Sequence, residues 1–324
     1  MKFAVIGSNF VADWFLNAGK RCENFELYAI FSRTEKRARE YASIHGAPVY
    51  YTKLEQLEQD PAIEAVYLAS PTYCHANQAI RLMNAGKHIL CEKPIAFNEG
   101  EFSKMINAAR ANHVVLLEAM RSDYSPAFQS VRKGLSKLGT LRRASLRFCQ
   151  YSSRYDNFKC GIVENAFRPD IAGGAIMDIG VYPIHTMISL FGAPRSVNSL
   201  LVPLHTGVDG EGSILFDYGE MIGEVTYSKI TNSSLPCEIQ GENGNLLFDR
   251  ITNMSKVEIQ YRDGSNEILY HQTPDEEMRY ELEAFLRYAC AGIFPEQELE
   301  ITRMTLACMD EVRKTAGIVF PADN

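Results

Sequence analysis

Met1-Lys2-Phe3-Ala4-Val5-Ile6-Gly7-Ser8-Asn9-Phe10-Val11-Ala12 opens the chain with an apolar run, a glycine, and the start of a segment whose apolar spacing stays helical to Lys20. Working outward, strand-like runs recur at Glu26–Phe31, Val66–Ala69, His88–Cys91 and Val114–Glu118. Helical patterns at Thr34–His45, His75–Ala85 and Glu99–Asn112 lie between them. Strands alternating with helices predict right-handed crossovers and a doubly wound parallel sheet buried on both faces, a Rossmann-type α/β domain. Ligands of such sheets sit outside the carboxyl ends of the strands. Those ends carry Gly7, Ser32-Arg33, Ser70-Pro71-Thr72, Glu92-Lys93-Pro94 and Glu118.

Lys93 stands out among them, because an apolar strand that delivers a lysine at its carboxyl end aims that lysine at a cofactor crevice. The turn Gly7, Ser8, Asn9, Phe10, Val11, Ala12 departs from the dinucleotide fingerprint G-x-G-x-x-G/A at its middle position, where Asn9 replaces glycine. Asparagine tolerates left-handed geometry, and its amide is suited to a phosphate oxygen. Dinucleotide enzymes that use NAD place an acid after the second strand. Here Ser32-Arg33-Thr34 offers a guanidinium and two hydroxyls to a 2′-phosphate, which favours NADP while leaving NAD open. The competing reading of Arg33 is a solvated residue in the first helical turn.

The pattern changes after Arg121, and the expected domains are residues 1–121 and 122–324. Ala144–Tyr151, Ser196–His205, Gly212–Tyr218, Met221–Ile230, Cys237–Gly241, Leu246–Asp249 and Lys256–Tyr261 are short β-rich runs. Turn sequences at Tyr218-Gly219-Glu220, Gly241–Gly244 and Arg262–Ser265 mark hairpins, and helices are expected at Pro274–Ala291 and Glu298–Thr315. The second domain is thus expected to be α+β, with a large, mainly antiparallel open sheet. Between Gly173 and His185, a helix from about Gly174 to Leu190 would put Asp178, Tyr182 and His185 on one face. In isolation that segment also reads as a helix with satisfied polar groups at a domain interface.

Charge and composition narrow the classes. The net charge of −7 comes with no basic cluster, which argues against a nucleic-acid surface. We find no run approaching the roughly 20 apolar residues that cross a bilayer, and no signal-peptide pattern precedes the first strand, so a cytoplasmic protein is expected. The eight cysteines are scattered without C-x-x-C spacing, as in a reducing compartment, and no metal site is expected. A redox role for Cys91 is the remotest of the readings, since no base pairs with it.

Taken together, Gly7–Ala12, Ser70-Pro71-Thr72 with His75, Glu92-Lys93-Pro94, Glu118 with Arg121, and Gly173-Gly174 through Asp178, Gly180 and Tyr182 resemble the Gfo/Idh/MocA family of NAD(P)-dependent oxidoreductases over nearly the whole chain. The resemblance implies hydride transfer between NADP(H) and a secondary alcohol or carbonyl of a sugar, cyclitol or diol. It makes Lys93, Asp178 and Tyr182 the catalytic residues, with Tyr182 exchanging a proton and Asp178 orienting the substrate oxygen or the lysine. Gly7, Ser8, Asn9, Phe10, Val11, Ser32, Arg33, Ser70, Pro71, Thr72, His75, Glu92 and Lys93 become the cofactor-binding set. Arg121, Arg168 and His185 join Lys93, Asp178 and Tyr182 in contacting substrate. Tyrosine at 182 looks like the dihydrodiol dehydrogenase and glucose–fructose oxidoreductase branches, and His185 stands where inositol enzymes often carry an acid, which points away from inositol. Thr72 also reads as an N-cap, Glu118 with Arg121 as an ion pair, and Trp14 as packing. A homodimer or dimer of dimers through the open sheet is expected. The alternatives on this fold are a non-catalytic NAD(P)-binding sensor and a partner-binding protein with a vestigial crevice.

Overall fold

A computed structural model describes residues 1–273, 278–320 and 323. The chain divides into two compact units, Met1–Arg121 with Glu276–Glu300, and Ser122–Asp275 with Ile301–Asn324.

The first unit is built on a parallel sheet of β1 (Lys2–Ile6), β2 (Glu26–Phe31), β3 (Val49–Tyr51), β4 (Ala65–Leu68), β5 (His88–Glu92) and β6 (Leu116–Ala119) in the order 3-2-1-4-5-6. Helices α1 (Phe10–Gly19), α2 (Glu35–His45), α3 (Leu54–Gln59), α4 (Thr72–Asn84) and α5 (Glu99–Ala111) connect the strands. Strands β4 and β6 are buried at every position, as continuous apolar runs covered on both faces should be. The order reverses between β1 and β4, and in such sheets that switch point is where a dinucleotide lies.

The second unit holds an eight-stranded sheet of β7 (Leu141–Cys149), β8 (Ser196–Pro203), β9 (Asp209–Asp217), β10 (Ile222–Ser228), β11 (Cys237–Gly241), β12 (Gly244–Phe248), β13 (Lys256–Tyr261) and β14 (Asn266–His271), ordered 14-13-12-11-7-10-9-8. Its neighbours are antiparallel except β7 and β10, which run parallel. Burial alternates along β9, β12 and β13, so one face is core and the other is not. Helices α6 (Pro126–Gly134) and α8 (Val181–Phe191) pack on the sheet, and α7 (Tyr155–Lys159) follows β7. Strand β14 escaped sequence analysis because it is an edge strand whose side chains are largely exposed, which leaves no clean alternation.

Two expectations need correction. Residues 122–324 do not form one domain, because α9 (Met278–Ala291) and the start of α10 (Glu296–Thr315) belong to the first unit. Helix α9 packs on α1, β5 and β6, and Phe285 sets its ring edge-on to Phe3, 5.8 Å between centroids. The first four positions of the expected helix, 274–277, lie outside the described residues. Second, the 23 residues Pro169–Phe191, largely helical, are long and apolar enough to cross a membrane; their most apolar 18-residue window has mean hydropathy 1.3 and is 89% buried, as in a core helix.

Candidate active site

The turn after β1 is shaped by a close approach. Gly7 has φ +123°, and a Cβ there would sit 2.7 Å from the Ala69 carbonyl oxygen, so no other residue fits. Asn9 corrects the expectation drawn from its type. Its backbone is extended at φ −107°, not left-handed, and its Oδ1 accepts from the amides of Val11 (3.1 Å) and Ala12 (3.0 Å). Its Nδ2 donates to the Ala69 carbonyl at 3.3 Å. Asparagine therefore stands here as the N-cap of α1, with its Oδ1 engaged twice by that helix. Ser32 and Arg33 end β2, with Arg33 exposed. Sequence analysis missed Arg37, on α2, whose Nη2 donates to the Ser8 carbonyl (2.7 Å) and Nε to the Ser8 hydroxyl (3.1 Å). A second guanidinium thus lies on the Gly7 turn. Its signal was a basic residue four positions after Arg33, one helical turn on.

His75 ties two turns together. Its Nε2 lies 2.8 Å from the Ser70 carbonyl and its Nδ1 3.0 Å from the Pro94 carbonyl, and burial lowers its pKa against those two carbonyls. His75 is thus buried between two turns. Pro71 occupies the N-cap of α4 and Thr72 its first helical position, so Thr72 is not the cap. Ser70 Oγ donates to Gln78. Lys93 is half-buried at the end of β5, and its peptide bond to Pro94 is cis. Burial raises the pKa of Glu92 despite a very short hydrogen bond from Tyr67 and the charges of Lys93 and Arg121. Glu118 is buried and accepts from the Ile95 amide at 3.0 Å, bracing the turn after Lys93. Arg121 places its guanidinium 5.8 Å from the Trp14 ring centroid, and Trp14 is 46% exposed, so that indole is a surface stacking partner and not core packing. Burial pushes the Cys91 thiol well up, which removes it as a nucleophile.

In the second unit, residues Ile176–Gly180 form a π turn that runs into α8. Pro183 withholds an amide from the ladder, and its ring crowds the carbonyl of Ile179 inside that turn. A π turn shifts helical phase. The Asp178 side chain is 42% exposed, whereas Tyr182 and His185 are buried. The Tyr182 ring meets Phe148 edge-on at 5.7 Å. His185 Nε2 lies 3.0 Å from Asp123 Oδ2, which also accepts from Ser189, and Thr305 approaches Nδ1 at 3.4 Å. His185 is thus part of an internal network. Arg168 forms a bidentate pair with Asp170 on the surface, which holds that carboxyl below the usual range. The glycines permit close packing: a Cβ on Gly173 would lie 2.6 Å from the Arg168 carbonyl oxygen, and one on Gly174 2.5 Å from Asp209. Lys229, also unforeseen, ends β10 and pairs its ammonium with Asp178 at very short range. Its signal was slight, a lysine following an alternating strand in Tyr227-Ser228-Lys229.

Comparison with known proteins agrees with this arrangement. Residues 1–120 match the oxidoreductase family with an NAD-binding Rossmann fold, and 129–247 match the Gfo/Idh/MocA C-terminal domain. The chain is 43% identical, over its full length and 99% of the relative, to scyllo-inositol 2-dehydrogenase (NADP(+)) IolU of Bacillus subtilis (strain 168). The chain belongs to the Gfo/Idh/MocA family. It is an NAD(P)-dependent dehydrogenase acting on small molecules, not a sensor on a borrowed fold. Within the family it is also 26% identical to trans-1,2-dihydrobenzene-1,2-diol dehydrogenase of Mus musculus, over the whole chain and 99% of that protein. The 3-ketoreductase KijD10 of Actinomadura kijaniata, solved with NADP, shares the fold at TM-score 0.86 and 23% identity, with 97% of each chain covered. Levoglucosan dehydrogenase, solved with NADH and levoglucosan, does so at TM-score 0.86 and 21% identity over 98% and 97%. The argument against inositol loses its footing, since His185 is engaged with Asp123 and an inositol dehydrogenase is the more similar of the two named relatives.

Proposed function

We propose that the protein is an NADP-dependent dehydrogenase of a cyclitol, interconverting one ring secondary alcohol and its ketone. The observation that carries this reading is the full-length 43% identity to an NADP-dependent scyllo-inositol 2-dehydrogenase. The basic end of β2 supports the cofactor choice: Arg33 is exposed there and Arg37 lies on the Gly7 turn, two guanidiniums suited to a 2′-phosphate. With Val11 and Ala12 amides satisfied by Asn9, the phosphate contacts of that turn fall to Ser8 and Arg37.

Bound NADP+ supplies the hydride acceptor. Tyr182 takes the proton of the reacting hydroxyl, and Lys93 contributes the positive charge that favours the phenolate of a group with an ordinary pKa near 10. Asp178 accepts a hydrogen bond from a substrate hydroxyl and so orients the ring. The exposed face of the eight-stranded sheet carries Leu200, Val202, Leu215 and Ile222 on one side, which supports a homodimer or dimer of dimers there. All eight cysteines are free, in keeping with a cytoplasmic enzyme.

The test is a steady-state screen of inositol isomers, sugars and diols with NADP+ and NAD+. Turnover of a cyclitol with NADP+ preferred is expected. Activity confined to non-cyclic diols, or a preference for NAD+, would refute the reading.

A further inference from the structure

Lys229 is placed as a working residue would be, although its sequence context is that of a strand end. Its backbone is held on both sides, donating to the Gly210 carbonyl at 2.9 Å and accepting from the Ser152 amide at 2.8 Å. Its side chain is 7% exposed, and an ammonium removed from water needs a compensating charge. That charge is Asp178, whose own side chain stays 42% exposed. The cation is thus inside the unit while the carboxylate reaches outward. The π turn carrying Asp178 is locked to the same strands, since Gly180 packs where a Cβ would come within 3.0 Å of the Tyr227 ring on β10. Strands β7 and β10 are parallel neighbours, and Lys229 stands at their shared carboxyl end.

We propose that Lys229 is a positioning residue, which fixes Oδ2 of Asp178 so that the carboxylate is held ready to accept from a substrate hydroxyl. This rests on the reading of Asp178 as the residue that orients substrate. Lys229 itself touches no substrate, and its effect passes entirely through Asp178. A carboxylate without its ammonium would be free to rotate away from the orientation in which it accepts from the substrate hydroxyl. The polyol hydroxyl next to the reacting carbon is the group most affected.

The experiment is a double-mutant cycle of Lys229→Met and Asp178→Asn, with Lys229→Arg as the conservative control. It measures kcat, KM and NADPH affinity on the full-length protein with the best cyclitol. For Lys229→Met, kcat/KM is expected to fall about 10- to 100-fold, the size of a charge-assisted hydrogen bond. Lys229→Arg should recover most of that loss, and NADPH affinity should stay within about two-fold because its expected contacts belong to the first unit. In the Asp178→Asn background, Lys229→Met should cost nothing further. Multiplying losses, or wild-type kinetics for Lys229→Met, would overturn the proposal. If the wild-type protein oxidises no polyol, the functional reading fails separately, and the same four proteins decide the pair by urea midpoint. Non-additive midpoints then uphold the coupling, and additive ones overturn it.

Discussion

Replacing Asp209 by asparagine should stabilise the second unit at neutral and alkaline pH. Asp209 begins β9, is fully buried, and accepts from the Ile176 amide at 2.9 Å, at the start of the helical run that carries Asp178 and Tyr182. Burial outweighs that hydrogen bond and pushes its carboxyl up from 3.8 to about 6. Tyr227 lies near enough to act on the carboxyl, yet its hydroxyl and Asp209 Oδ1 do not reach good hydrogen-bond geometry. A carboxyl whose folded pKa exceeds its unfolded value binds more protons in the folded state. Its favourable contribution is therefore complete at low pH, is lost as pH rises from about 4 to about 6, and stays lost above that. The interval from 3.8 to about 6 is worth about 3 kcal/mol. Asp209→Asn keeps an oxygen for the Ile176 amide and removes the charge, but its amide protons need an acceptor, which returns about 1 kcal/mol or more. We expect a gain of about 1–2 kcal/mol at pH 8 and little change at pH 5, where only about half of that cost has accrued and the amide's own cost offsets it. Urea unfolding of both proteins at the two pH values measures this. A variant that loses stability at pH 8 would show that the Ile176 hydrogen bond to the charged form, not burial, dominates.

Lys93→Met should reduce turnover by at least about 100-fold with NADPH binding retained, read by steady-state kinetics beside fluorescence titration; unchanged turnover removes Lys93 from the chemistry. Arg33→Ala should weaken NADPH by about 10-fold or more and leave NADH nearly unaffected, whereas Arg37→Ala, which also frees Ser8 on the Gly7 turn, should weaken both; equal losses of both cofactors in Arg33→Ala would remove that guanidinium from the 2′-phosphate. Leu200 is 80% exposed on the sheet face, and Leu200→Glu should convert the expected dimer to monomer in light scattering. A dimer undisturbed by that change puts the interface elsewhere.

The first strand, its glycine turn and the alternation that follows were legible because a parallel strand covered on both faces must be a short continuous apolar run, and β1, β2 and β5 appear as such. The hairpins of the second sheet were legible for a related reason, since turns such as Arg262–Ser265 require particular residue types. Lys93, Asp178 and Tyr182 were found through motifs, which record residue type and spacing. What those side chains touch was set by tertiary packing. Asn9 became a helix cap because the chain is extended there, and His75 became a clasp because two turns bring carbonyls to both ring nitrogens. His185 turned inward to Asp123. Helix α9 joined the first unit because Phe285 fits against Phe3, two residues far apart in sequence. Lys229 and Arg37 had only the weakest signals, because a lysine after a strand or an arginine on a helix is ordinary until its partner is known. Sequence thus determined the elements and the chemistry available, through local periodicity and backbone demands. The partner of each cation, Asp178 for Lys229 and the Ser8 carbonyl for Arg37, was decided only by the fold, because burial and distance are properties of residues brought together from separate parts of the chain.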